Sequence, residues 1–523
     1  MLHIGVDVGG TFTDLILLDD ATGQLRSAKV PTTVRNQAEG FLAGIKALGV
    51  SLDTVSRIFH GMTTGTNAVL EHRGARLALV TTRGFRDALE LGRGKRMVPA
   101  SMFDTRFQKP KPLVPRSRRY EVGERLRYDG AVLTPLPEDE LEAVCEQIAA
   151  DDVEVVVVCF LNSFANPAHE QAAETVVRRS LPNVMTTISS DVVPEFREYE
   201  RFSTATLNGY IQPVMNRYLG RLESELAAAG YDRDLYIMAS GGGTMTSTTA
   251  RARPVNTILS GPAGGVNGAV FVAGAAGVRN LITYDMGGTS TDVCLVTDLK
   301  PSRTTESIIA GQPMKVPQID IKTIGAGGGS IAYLDEGGVL NVGPRSAGAE
   351  PGPACYGRGG TEPTVSDANV VLGRIDPDAV LGGAIHLQPD LAVQAVEGLG
   401  QRVGVSGGVA MAEGILRISV AKMASAIREV SIERGYDPRD YTLLAFGGAG
   451  PMHVAAIAAE LGIRQILVPL YPGNLSALGV LTSDVQHDYV RTLLRKLPDL
   501  RWDELQAAWE DLRAAAADRL ARD

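Results

Sequence analysis

Residues 6–14 read V-D-V-G-G-T-F-T-D, and residues 284–292 read Y-D-M-G-G-T-S-T-D. Asp7 to Asp14 and Asp285 to Asp292 have the same spacing, with the two glycines and two threonines matched between them. Each copy follows an apolar run, Leu2–Val8 or Asn280–Asp285, and leads into a second one, Leu15–Asp19 or Val293–Asp298. A strand, a glycine turn and a returning strand used twice is an internal repeat, and it predicts two halves of common design. One copy alone reads as a hairpin turn. Two copies with matching flanks read as a phosphate grip. Paired glycines let backbone N–H groups converge on an anion without Cβ interference, and threonine hydroxyls add donors. An aspartate aimed at the same place cannot face phosphate bare, so it predicts Mg²⁺, bound directly or through water.

Outward from these turns the chain alternates strand-like and helical stretches. Gln24–Val30 continues the first repeat as a third strand, and a helix is expected over about 36–47. Leu77–Thr81 predicts a strand before a helix near 85–91, and the Lys-, Arg- and Pro-rich stretch 92–118 predicts a long loop. Glu154–Cys159 is an apolar β-branched run that marks a central parallel strand. A helix near 167–179 and a strand near 184–189 follow, and Pro194 is expected to open a long helix to about Ala228, stopped by Gly230. Leu235–Ala239 is strand-like and runs into a glycine cluster; further clusters are G-A-G-G-G at 325–329 and P-G-P-A-C-Y-G-R-G-G at 351–360. A long helix is expected over about 409–434, another strand over 465–468, and a strongly amphipathic helix over 503–520. L-L-A-F-G-G-A-G-P-M-H at 443–453 reads as strand, glycine turn and helix, suited to lie against an adenosine.

Composition limits the function. At 523 residues the chain is long enough for two or three domains, and 44% hydrophobic with 21% charged residues is a globular profile. Net charge is −9, and the only basic patch is Arg116, Arg118 and Arg119, so nucleic-acid binding lacks an electrostatic basis. No apolar run is long enough to span a bilayer, and Leu2–Val8 opens the chain with no basic leader before it. The cysteines Cys145, Cys159, Cys294 and Cys355 lie far apart, which predicts buried reduced thiols. Together these features predict a cytoplasmic enzyme or ATPase.

The two phosphate turns and the late G-G-A-G-P loop resemble the actin/Hsp70/sugar-kinase superfamily. Within it, the chain resembles the hydantoinase A / 5-oxoprolinase / acetone carboxylase β-subunit family. The resemblance runs through residues 4–14, H-G-M-T-T-G-T-N-A-V-L-E at 60–71, T-T-R-G-F-R-D-A-L-E-L-G-R at 81–93, S-G-P-A-G-G-V at 260–266, 284–292, G-A-G-G-G-S-I at 325–331, 343–368 and 446–453. Met62 stands where the family usually has threonine.

The resemblance implies a two-lobed, ribonuclease H-like α/β ATPase fold with mixed sheets flanked by helices and the nucleotide between lobes. It implies lobes at 1–190 and 191–485, with 486–523 the start of a C-terminal region that this chain leaves incomplete. It also implies an ATP-dependent subunit of a cyclic-amide hydrolase, working with a hydantoinase B-like partner in a hetero-oligomer. An ATP-dependent carboxylase subunit and a nucleotide-switched chaperone are the alternatives. In this reading Asp7 and Asp285 hold Mg²⁺, while Asp14 or Asp292 serves as outer ligand or general base. Gly9, Gly10, Thr11, Thr13, Gly287, Gly288, Thr289 and Ser290 grip phosphates. Gly325 to Gly329, with Gly327 and Gly328 central, and Gly447, Gly448 and Gly450 approach the nucleotide. His60 and Asn67 either line an acceptor pocket or, for His60, fill a strand end. Cys355 and His453 read as structural, and Arg93, Lys95 and Arg96 either meet an anionic substrate or intermediate or, the safer reading, form a solvated basic loop.

Overall fold

Ile4, Val6 and Val8 are fully buried, so Leu2–Val8 forms the strand its apolar pattern predicts. In this computed structural model, which describes all residues except 10–11, 34–36, 95–104, 106–107, 382–384 and 523, that strand sits inside a six-stranded sheet. It pairs antiparallel with Phe12–Asp19, which places Asp7 opposite Asp14, and parallel with Val55–Met62, which places Asp7 beside Gly61. Gln24–Pro31 then pairs with Phe12–Asp19 and sets Lys29 opposite Asp14. On the other side Leu235–Met238 joins Val55–Met62, followed by Thr244–Thr246 at the edge.

The second copy of the motif builds the same arrangement. Leu281–Met286 pairs antiparallel with Thr291–Thr297, Asp285 opposite Asp292, and parallel with Thr442–Phe446, Asp285 beside Phe446. Lys322–Ile324 pairs with Thr291–Thr297 and sets Thr323 opposite Asp292, the place that Lys29 takes in the first sheet. The internal repeat is therefore a repeat of strand pairing as well as of letters. A separate four-stranded parallel sheet runs Met185–Ile188, Val155–Cys159, Leu77–Thr82 and Arg119–Val122. Its Val155–Cys159 strand is buried throughout, as a strand covered on both faces must be.

Two helices, Ser260–Ala275 and Leu475–Leu481, pack between the two repeat-bearing sheets. Their apolar cluster joins Ile16, Phe59 and Met238 of the first sheet to Leu281, Val296 and Phe446 of the second through Ala263, Val266, Leu475 and Val480. Glycine makes the approach possible. A Cβ on Gly479 would overlap the carbonyl oxygen of Gly264, and one on Gly5 would overlap the carbonyl oxygen of Ala477. A Cβ on Gly268 would overlap the carbonyl oxygen of Leu475.

Some expectations shift. The long helix is Glu198–Ala228, and it starts after Arg197 rather than at Pro194 because Arg197 holds φ 79°, outside the helical region. The helix expected near 85–91 shrinks to Ala88–Leu91, with a turn before it through Arg83 and Gly84, the latter at φ 90°. The tail helix, Trp502–Leu520, buries only Ala508, and Trp502 and Trp509 are exposed. Its apolar letters are mostly alanines, which supply little surface to pack. Much of the expected loop at 92–118 lies outside the described residues. All four cysteines are free and buried, and no single helix among the described residues is long and apolar enough to cross a membrane.

An ordinary helical Gly→Ala change gains about 1 kcal/mol. Gly479→Ala is expected instead to lose about 1–3 kcal/mol, because the new methyl meets backbone rather than a side chain that can swing away. Urea unfolding of the two proteins measures the difference.

Candidate functional site

The two turns close alike. Gly9 N–H donates to Phe12 O at 3.0 Å, and Gly287 N–H donates to Ser290 O at 3.1 Å. Gly288 and Thr289 stand exposed at the tip of the second turn, with Ser290 half-buried; Gly10 and Thr11 lie outside the described residues. The last threonine of each motif has another job. Thr13 is fully buried with its hydroxyl 3.0 Å from that of Thr32, which donates to Gly9 O at 2.9 Å. Thr291, its counterpart, is also fully buried and donates to Ala326 O. Both hydroxyls brace their turns from behind instead of facing out.

Each strand-end aspartate has a glycine making room for it. A Cβ on Gly61 would lie 2.9 Å from Asp7 Oδ1, and one on Gly447, φ 81°, would overlap Asp285 Oδ1. Gly261, in the first turn of helix Ser260–Ala275, also approaches Asp7; a Cβ there would lie 3.9 Å from Oδ1. Asp7 Oδ1 is buried and has no hydrogen-bond partner among the described residues. Buried carboxylate oxygens in folded proteins are almost always bonded, so this one marks a place for something else.

The charges of the two turns act on each other. Burial raises the Asp285 carboxyl well above its ordinary range, with Asp292, Asp7 and Asp14 pushing the same way and Lys29 opposing. Burial and then Asp14 push Asp7 up to about 7 against the pull of Lys29. Asp292 is pushed up to about 6 by burial, with a hydrogen bond from Thr323 opposing. Asp14 is raised by burial and held back by Lys29, whose Nζ lies 2.6 Å from its Oδ1. Asp285 therefore stands within electrostatic reach of the first turn, and the four sequence-predicted aspartates sit at the paired strand ends of the two repeats. Carboxylate oxygens crowded in this way, one of them orphaned, suit a hard divalent cation such as Mg²⁺. Among the described residues, no group of three or more His, Cys, Asp or Glu could hold a metal ion by itself. A cation here would need other oxygen ligands, from water or phosphate.

The remaining glycines divide by what they approach. Gly328 N–H donates to Gly287 O at 3.0 Å, Gly329 N–H donates to Gly288 O at 2.6 Å, and a Cβ on Gly327 would lie 2.6 Å from Gly288 C and Thr289 N. Gly327 and Gly328 are buried, so they buttress the second turn; Gly325 is exposed and packs on Pro344. In the late loop Gly447 fits against Asp285 and Gly450 lies behind it near Tyr284, while Gly448 is exposed with open space around it.

His60 is fully buried, with Nε2 2.7 Å from the Tyr218 hydroxyl, and burial holds it down to about 4, so it is a neutral core histidine. Met62, beside it in the core, is buried too. Asn67 bonds Thr63 at 3.3 Å. His453 is fully buried near Asn369, and Cys355 is buried with its thiol pushed up by burial, which makes both structural. Arg93 pairs with Glu200 through two hydrogen bonds, at 2.7 and 2.6 Å, so it is held rather than free in a basic loop; Lys95 and Arg96 lie outside the described residues. Lys29, Gly61, Gly261 and Asn474, which donates to Asp14 at 3.2 Å, are the site neighbours that sequence reasoning missed.

Known proteins resemble this chain over most of its length. Residues 201–489 match the profile of the hydantoinase/oxoprolinase family, and residues 3–181 match that of the hydantoinase/oxoprolinase N-terminal region. The caprolactamase subunit alpha of Pseudomonas jessenii is 39% identical over 98% of this chain and 75% of its own length. The acetone carboxylase beta subunit of Xanthobacter autotrophicus is 30% identical over 97% of this chain and 74% of its own. The crystal structure of the ATP-dependent caprolactamase from Pseudomonas jessenii superposes with a TM-score of 0.88 at 38% identity, covering 99% of this chain and 76% of that one.

A raised aspartate costs stability in a definite pH window. Below about pH 4, Asp7 is protonated in folded and unfolded chains alike; above it the unfolded chain releases the proton first, and stability falls until about pH 7. Asp7→Asn is expected to stabilise the ligand-free protein at pH 8 by on the order of 2 kcal/mol and to leave it unchanged at pH 4. Thermal unfolding at the two pH values measures this; an equal effect at both would contradict it.

Proposed function

The chain belongs to the hydantoinase/oxoprolinase family, and from that premise we propose that it binds Mg-ATP between its two glycine turns and phosphorylates the carbonyl oxygen of a cyclic amide. The observation that carries this reading is the Asp7–Asp14–Asp285–Asp292 cluster with its orphaned Asp7 oxygen, flanked by two identically closed turns. Asp7 and Asp285 would hold the cation, and Gly288 and Thr289 would present backbone and hydroxyl donors to phosphate oxygens, with the turn that Gly9 closes on the other side. Bound Mg²⁺ would supply charge neutralisation to the transferring group. Gly448 is the open point of the late loop and would face the nucleoside.

Amides hydrolyse slowly because nitrogen is a poor leaving group. Attack of the amide oxygen on the terminal phosphorus forms a C–O–P linkage, while the bond to the bridging oxygen breaks with its electron pair going to ADP. Water then adds to the activated carbon. The ring C–N bond breaks as the amine takes the pair and a proton, and a second water releases phosphate. Asp292, or Asp14 if its lysine is drawn away, is placed to accept the proton of the N–H or of water. Relatives named as subunits support a partner subunit for the hydrolytic steps, and the caprolactamase likeness supports a lactam, hydantoin or 5-oxoproline as acceptor. The acetone carboxylase likeness favours a second reading, in which the same phosphoryl transfer serves a carboxylation.

Phosphate release in the presence of caprolactam, hydantoin, 5-oxoproline, or acetone with bicarbonate, each with and without a co-encoded partner, separates the two. Stimulation by a cyclic amide is expected; stimulation by acetone with bicarbonate alone would replace the first reading with the second. Asp285→Asn is expected to abolish ATP turnover with the circular dichroism spectrum unchanged, and full turnover in that variant would remove Asp285 from the site.

A further inference from the structure

The two repeats pair their aspartates alike, Asp7 with Asp14 and Asp285 with Asp292, but differ in what stands across from the second aspartate. Opposite Asp14 stands Lys29, and opposite Asp292 stands Thr323, whose hydroxyl donates to Asp292. Lys322, the neighbour of Thr323, pairs with Glu429, so the second repeat offers its aspartates no lysine from this strand. Lys29, in contrast, reaches the cluster. Its Nζ lies 2.6 Å from Asp14 Oδ1 and 5.0 Å from the centre of the Phe12 ring, and about a third of its side chain is exposed. Asp7, Asp14 and Asp285 all feel its charge. Asp14 has a second donor in Asn474, at 3.2 Å, so it is not left bare when the lysine is shared.

An ammonium has three donors, and Asp14 occupies one. Taking the Mg-ATP reading above as its basis, we propose that Lys29 is a catalytic residue supplied by the first repeat alone, its ammonium shared between Asp14 and the oxygens of the terminal phosphoryl group. The asymmetry then gives the nucleotide a direction. The terminal phosphoryl group lies at the first turn, where Lys29 adds positive charge, and the inner phosphates lie against the second turn, where backbone donors suffice. In the transfer step the bond between the bridging oxygen and the terminal phosphorus breaks with its electron pair leaving on ADP. The acceptor oxygen forms the new bond to phosphorus, and Lys29 keeps its proton throughout. Its role is to neutralise charge on the oxygens in flight.

Calorimetric titration of ATP and of ADP, each with MgCl₂, into wild type, Lys29→Met, Lys29→Gln and Lys29→Arg tests the assignment. The Gln variant keeps a donor for Asp14 and is read alone if the Met variant does not fold. Removing the charge is expected to weaken ATP at least about tenfold while ADP stays within about twofold, and to slow phosphate release about 100-fold or more; arginine is expected to restore part of the ATP preference. Equal losses for both nucleotides, or no loss for either, would overturn the role of Lys29 while leaving the nucleotide site standing. Wild type that binds neither nucleotide would overturn the site itself.

Discussion

Backbone meets backbone where Gly479 lies against Gly264, where Gly268 lies against Leu475, and where Gly5 lies against Ala477. A side chain at any of these points would push a helix away from its neighbour or from the first sheet. The separation of the two repeat-bearing sheets therefore depends on the absence of Cβ atoms along one seam. The seam lies directly behind the turns: Gly264 follows Gly261, which approaches Asp7, and Gly265 packs on Phe446, the residue beside Asp285. Spacing between helices is converted into spacing between carboxylates.

That spacing is unfavourable in the protein alone. Burial pushes all four carboxyl groups up, neighbouring carboxylates push Asp7 and Asp285 further, and one lysine opposes at Asp7, Asp14 and Asp285. Interior chemistry of this kind persists where a ligand repays it, and the proposed divalent cation with phosphate oxygens would do so. The glycine at each aspartate follows from the same demand. Gly61 and Gly447 leave the carboxylates room at the strand ends, where a side chain would displace them.

Much of this was legible in the letters. Leu2–Val8 and the strands of both repeats sit where their apolar runs predict, because strand burial at a sheet centre is a local pattern. The matched aspartates were readable as partners because the repeat preserves spacing. Glycine was harder to interpret. The run at 325–329 was expected to approach a nucleotide, yet Gly327 and Gly328 approach another glycine turn, and composition cannot tell a ligand from a neighbouring backbone. Thr13 looks like a phosphate donor, yet its buried hydroxyl lies against that of Thr32. Lys29 was missed because its partnership with Asp14 is a matter of hairpin register; counting residues back across the turn at 20–23 would have found it. Helix Glu198–Ala228 begins later than its proline suggested because one left-handed residue, Arg197, overrides the local signal.

The central claim is that a nucleotide's phosphates lie between the two turns. A crystal structure of the protein with MgCl₂ and a non-hydrolysable ATP analogue tests it most directly. The account predicts phosphate density within hydrogen-bonding distance of the Gly9 and Gly287–Thr289 turns, with a cation beside Asp7 and Asp285. Nucleotide bound elsewhere, such as in the cleft of about 310 Å³ lined by Asn267, Phe271 and Arg303, would contradict it.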